Sequence, residues 1–262
     1  MDNFPFDVIG MNWWMLESPL ETRAGRQQLI ELMERWLPNC LPQSYGVSEP
    51  PAHNYDHCGR EHFLQFLDEN LEFSVWYPRR PIVGVSLQLP SPPGPKKIGV
   101  QFLGFRMNHL SIRFEKSILN GASWTTRLFQ FWQAVSKVIH PVYGDVRNLG
   151  PHRWQGQTVG CLAGSKAVGW WWSGIPRSLG KAVVLGAMYQ RLWPSFSRAS
   201  EKEEGLAFAS LRDWQSEGDL TDLVGPPPED QAIVIQARGD LGTPKPPPKF
   251  PEGWPFGNPY PN

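Results

Sequence analysis

The stretch from Ile98 to Leu149 limits the possible folds more than any other part of the chain. Within it Leu110, Ile112 and Phe114 alternate with Ser111, Arg113 and Glu115, the period-two pattern of a strand with one apolar face. Residues Ile98 to Arg106 read as a strand before it. Only Met107, Asn108 and His109 separate the two, so an antiparallel hairpin is the expected connection. Ser123 is the expected N-cap of a helix carrying Trp124, Leu128, Phe131, Trp132, Val135, Val138 and Ile139. That spacing makes one apolar stripe about four turns long. Pro141 ends the helix, and Val142 to Val146 starts a further strand. Strand, strand, helix and strand in this order define an α+β core, a mainly antiparallel sheet covered by helices.

The flanking segments fit around that core. Residues 3–16 are apolar but interrupted by Pro5 and Gly10, which predicts a short strand. Thr22 can cap a helix running to Leu37, with Leu29, Leu32, Met33, Trp36 and Leu37 on its buried side. Leu41 to Ala52 reads as a loop, Arg60 to Leu67 as a short helix, and Leu71 to Tyr77 and Ile82 to Leu89 as strands. Ser91 to Pro95 is a turn, so the strands at 71–77, 82–89, 97–106 and 109–116 are expected to form a meander. Further on, Ala167 to Ser173 and Gly205 to Leu211 read as strands, and Ile233 to Gln236 as another. Leu179 to Trp193 is open between strand and helix, with Leu185, Met188, Tyr189 and Leu192 favouring a helix ended by Pro194. Ser195 to Glu204 reads as a polar loop. From Thr243 the prolines preclude helix and sheet. The expected organisation is one α+β domain over residues 1–238 and a Pro-rich extended tail over 239–262.

Charge and cysteine usage restrict the function. Twenty-five Lys and Arg against 25 Asp and Glu leave no net charge, which argues against a general nucleic-acid or membrane-surface binder. Thirteen Trp supply large rigid contact surfaces, in the core or at an interface. Three widely spaced cysteines, Cys40, Cys58 and Cys161, fit a reducing compartment better than a disulfide framework. Asp2 and Asp7 precede any basic residue, unlike a secretory signal, and no run approaches the length of a membrane span. A cytoplasmic protein is the expectation.

Catalytic motifs are scarce. No Gly-x-Ser-x-Gly, P-loop or dinucleotide fingerprint occurs, and Cys161 with His140 or His152 is a nucleophile pairing that sequence alone cannot bring together. His53, His57, Cys58 and His62 form a cluster of zinc-type ligands. Pro50-Pro51, Asn54 and Gly59 interrupt it, so a polar surface loop is the expectation and a metal-dependent enzyme the alternative. Glu201-Lys-Glu-Glu204 reads as a solvated loop, or as an acidic patch that docks a basic partner. In Trp170-Trp171-Trp172 the middle ring faces away from its neighbours, which makes Trp171 either core or an interface anchor. The tail packs on its own domain through Trp254 and Phe256, is disordered, or docks an SH3-like groove.

Leu41-Pro-Gln-Ser-Tyr-Gly-Val-Ser-Glu-Pro50, following a helix, resembles a turn of bacterial immunity proteins from polymorphic-toxin and type VI secretion systems. The resemblance is to the family called immunity protein fifty-two, whose partners are nuclease toxins of the restriction-endonuclease type. The aromatic helix running into Pro141-Val-Tyr-Gly-Asp145 and the Gly169-Trp170 strand resemble that family too. The resemblance implies a cytoplasmic α+β protein that protects its own cell by binding a cognate toxin, with no catalysis and no cofactor. A nuclease must hold phosphates with a basic surface. Glu201, Glu203, Glu204 and Trp171 are therefore the expected partner-binding residues, with neither nucleic acid nor membrane as a direct partner.

Overall fold

The structure, a computed structural model, describes residues 7–15, 17–47, 51–89, 94–98, 101–106, 108–151, 171–172 and 179–227. The strands are β1 (Asp7–Met15), β2 (Pro42–Gly46), β3 (His53–Asn54), β4 (Ser74–Pro78), β5 (Ile82–Gln88), β6 (Gly94–Ile98) and β7 (Gln101–Arg106). They continue with β8 (Asn108–Glu115), β9 (Tyr143–Pro151), β10 (Trp171–Trp172), β11 (Ala182–Leu185), β12 (Glu201–Glu203) and β13 (Leu206–Ser210). The helices are α1 (Arg23–Trp36), α2 (Tyr55–Glu69), α3 (Ala122–Ile139), α4 (Ala187–Leu192), α5 (Pro194–Ala199) and α6 (Thr221–Val224).

Ten strands form one sheet in the order β12-β13-β11-β9-β1-β8-β5-β4-β2-β3, and β10-β7-β6 form a second. Every pairing is antiparallel, as an α+β fold of this kind requires. β1 lies inside the large sheet and buries every residue but Asp7. A strand covered on both faces carries an unbroken apolar run rather than an alternating one. For that reason its sequence announces a short strand and not a central one.

Register sorts the side chains by face. Ile9, Met11 and Trp13 stand opposite Phe114, Ile112 and Leu110, so these six share the face that packs on helices. Leu128, Phe131, Trp132, Val135 and Ile139 of α3 complete that core with Leu29, Ile30 and Met33 of α1. Thr22 caps α1 as expected, its hydroxyl accepting from Gly25 N at 3.1 Å. α3 begins two residues earlier than a Ser123 N-cap would place it. Gly121, extended at the end of a 3-10 turn, stands at the N-cap and offers no side-chain bond.

Several sequence expectations are corrected. β7 and β8 do not pair: β1 and β5 occupy both edges of β8, and β7 pairs with β6 and β10. The meander is therefore β4, β5 and β8, with β6 and β7 as an excursion into the small sheet. Leu41 to Ala52 is not all loop, because Tyr45 pairs with both Trp76 and His53 and builds β2 into the sheet. Leu179 to Trp193 divides into strand β11 and helix α4, which stops before Pro194 as expected, and Pro194 also opens α5. A proline at the first helical position forfeits only an N–H that has no helical partner there. Ser195 to Glu204 is α5 followed by β12. The stretches at 152–170 and 228–262, with Cys161, His152 and the Pro-rich tail, lie outside the described residues.

Candidate functional site

At one end of the large sheet, β3 and α2 bring three ligand-type side chains together. Tyr45 and His53 are register partners, so β2 holds β3 at the sheet edge. Asn54 caps the helix that follows, accepting from His57 N at 3.2 Å. α2 then kinks at Gly59, whose φ of 78° and ψ of 176° lie outside the helical region. The main body of α2 buries Phe63, Leu64, Phe66 and Leu67. An ion pair from Arg26 to Asp68 clamps it to α1, where Arg26 also donates to Leu20 O at 2.6 Å. His53 before the helix, Cys58 before the kink and His62 after it place one ligand atom each within 4.8 Å of one another. His57, the fourth member of the sequence cluster, is exposed in the first turn and outside this group. The segment expected as a polar loop is thus largely helix, joined across the Gly59 kink to the expected helix, whose Phe63 packs on Tyr45 and Trp76.

Tyr45 supports the trio from beneath. Its ring stacks on His53 with centroids 5.1 Å apart, and its hydroxyl lies 2.7 Å from His62 Nδ1. Burial, with the neighbouring Cys58 thiol second, pushes its phenol pKa well up, so it remains a neutral hydroxyl. A cleft of about 230 Å³ opens beside the trio, lined by Val47, Ala52, His53, His62, Gln65 and Glu69.

The acidic residues lie at the opposite end of the same sheet. β12 pairs with β13 through Glu201–Phe208 and Glu203–Leu206. Glu204 and Gly205 form the hairpin turn, with φ of 52° and 79°, as the right-handed twist of a two-residue connection favours. Glu201, Glu203 and Glu204 are all exposed, and Lys137 of α3 pairs with Glu203. Beside them a cleft of about 350 Å³ is lined by Phe129, Glu201, Leu211, Arg212, Trp214 and Leu223. Leu223 is 53% exposed. Trp171 is on the other sheet, its backbone paired with Arg106. His140, at the exposed C-cap of α3, keeps a left-handed backbone with φ 45°.

A third constellation escaped the sequence reading. On the face of β1 opposite α1 and α3, Asn12 Nδ2 donates to Asp145 Oδ1 at 3.1 Å and Ser111 Oγ donates to Asn12 Oδ1 at 3.0 Å. Arg147 Nε donates to Asp145 Oδ2 at 2.9 Å, and Tyr143 OH lies 3.3 Å from the same guanidinium. Burial alone would lower the Arg147 pKa, but the Asp145 charge beside it more than offsets that, and the group is held cationic. Residues 143, 145 and 147 share one side of a strand, and that alternation was the available signal. The group is fully satisfied and buried, which suits a role in fixing strand register more than in chemistry.

A ten-stranded antiparallel sheet with helices packed on it defines an α+β fold. That fold is shared with the Pseudomonas aeruginosa T6SS protein PA0821, at a TM-score of 0.51 and 10% sequence identity over 90% of this chain and 77% of that one. No protein-family model matches the chain, and no curated protein matches it in sequence. Among the described residues, no helix is long and apolar enough to cross a membrane.

Proposed function

We propose that this chain is an immunity protein that binds a cognate secreted toxin, a nuclease effector, and covers its active site or substrate groove. The observation that carries the reading is the exposed acidic hairpin at Glu201, Glu203 and Glu204 beside a cleft floored by Phe129 and Trp214. An acidic hairpin, with Lys137 paired to Glu203, next to a cleft lined by aromatic rings suits a partner that presents a basic surface around an apolar anchor. The fold shared with a T6SS protein agrees with a place in type VI secretion. The protein acts by occupying the toxin, without turnover of its own.

Calorimetry of the purified chain with the toxin encoded beside it tests this. Saturable one-to-one binding that weakens with added salt, and weakens further on Glu201→Lys with Glu203→Lys, is the expected result. Absence of binding, or binding indifferent to both substitutions, overturns it.

A further inference from the structure

We propose that His53, Cys58 and His62 form a zinc-binding site that joins the outermost strand of the sheet to α2. One thiol and two imidazoles are the donor set of a borderline-soft cation; calcium and magnesium require oxygen. Tetrahedral zinc with its usual bond lengths holds neighbouring N and S donors roughly 3.3–3.6 Å apart. The three ligand atoms already lie within 4.8 Å of one another, so small side-chain rotations bring them to bonding distance. Two features show that the backbone is built for this approach. The Gly59 kink takes Cys58 and His62 off the regular helical spacing, and the β3–β2 pairing fixes His53 above them.

The surroundings supply what a metal-bound histidine needs. A ligating imidazole is oriented by a hydrogen bond from its other nitrogen. Tyr45 OH, 2.7 Å from His62 Nδ1, provides that partner and leaves Nε2 for the metal. Three protein ligands leave a fourth tetrahedral position for water or for a side chain of a bound partner. The adjoining cleft keeps the site open to solvent. This site and the acidic hairpin lie at opposite ends of the ten-stranded sheet, so the proposal stands or falls independently of toxin binding.

The test uses the full chain stripped with chelator and titrated with Zn²⁺ against a chromophoric competitor. One zinc per chain is expected, together with a rise in melting temperature on loading. Co²⁺ in its place should give the intense visible bands of tetrahedral coordination and a near-ultraviolet sulfur-to-cobalt charge-transfer band. Cys58→Ser should abolish the charge-transfer band, and His62→Ala should remove the one-to-one binding. Tyr45→Phe should weaken zinc binding about 10–100-fold, and His57→Ala should leave it intact. Cys58 is exposed and free, so Cys58→Ser should retain the wild-type circular dichroism. Zinc affinity equal in wild type and Cys58→Ser, or a cobalt spectrum without the thiolate band, overturns the proposal.

Discussion

Trp13 Nε1, on the inner strand of the sheet, donates to Ser136 Oγ of α3 at 2.8 Å, and the same hydroxyl donates to Trp132 O at 2.8 Å. All three residues are buried. The serine therefore completes the one polar requirement of an indole placed deep in the sheet–helix core. Ser136→Ala should cost about 1–3 kcal/mol, the penalty for a buried donor left without a partner. Trp13→Phe added to Ser136→Ala should cost less than the sum of the two changes, because neither then abandons the other. Urea unfolding of the four proteins measures both values.

Asp145 and Arg147 form a pair that is almost wholly buried, with side chains 0% and 8% exposed. Removing one partner strands the other charge. Arg147→Met should destabilise by about 3–5 kcal/mol. Changing both, as Asp145→Asn with Arg147→Met, should recover much of that loss, since the amide that replaces the carboxylate can still accept from Asn12 and leaves no bare charge. A double mutant less stable than Arg147→Met alone would contradict this account.

His109 packs on Trp14 at 4.8 Å and is 5% exposed, with neither ring nitrogen hydrogen-bonded among the described residues. Burial, helped by the Arg113 charge, pushes its pKa down to about 3 from an ordinary 6.5. The folded state thus keeps the ring neutral where the unfolded chain would protonate it. Its contribution is complete above pH 6.5 and lost as pH falls towards 3. Between pH 7 and pH 5 the loss amounts to about 2 kcal/mol. Wild type should lose that much more stability over this interval than His109→Phe, by urea unfolding at the two pH values.

The parts of the fold legible in the sequence are those where one periodicity rules a whole element. Leu110, Ile112 and Phe114 face the helices as their alternation requires, and the stripe from Leu128 to Ile139 meets them. Thr22 caps α1. What stayed hidden depended on long-range partners. Nothing local says that β8 takes β1 and β5 as neighbours instead of β7, because strand order is decided by which edges remain free. The zinc-type trio was visible as residues and invisible as geometry. Its ligands come from a strand and from both sides of a helix kink, and Gly59 in sequence signals only an interruption. Tyr45 gave no sign of its place beneath them, since an isolated tyrosine between Pro42 and Pro50 resembles any loop residue.

Gly59 offers the sharpest separation of local strain from packing. A Cβ built there meets nothing within 4 Å, so space does not forbid a side chain. Its φ of 78° with ψ of 176° is a region that essentially only glycine occupies. Gly59→Ala should therefore destabilise by about 1–3 kcal/mol without any clash. The easiest relief is to straighten the first turn of α2 into regular helix, which carries Cys58 away from His53. The substitution should accordingly weaken zinc binding more than His57→Ala does, while the Phe63, Leu64 and Leu67 packing holds the rest of α2 in place. Melting temperature and zinc affinity measured on the same Gly59→Ala preparation check both effects. Unchanged stability would show that the kink costs the chain nothing to hold with a side chain present, and would remove the backbone's part in forming the cluster.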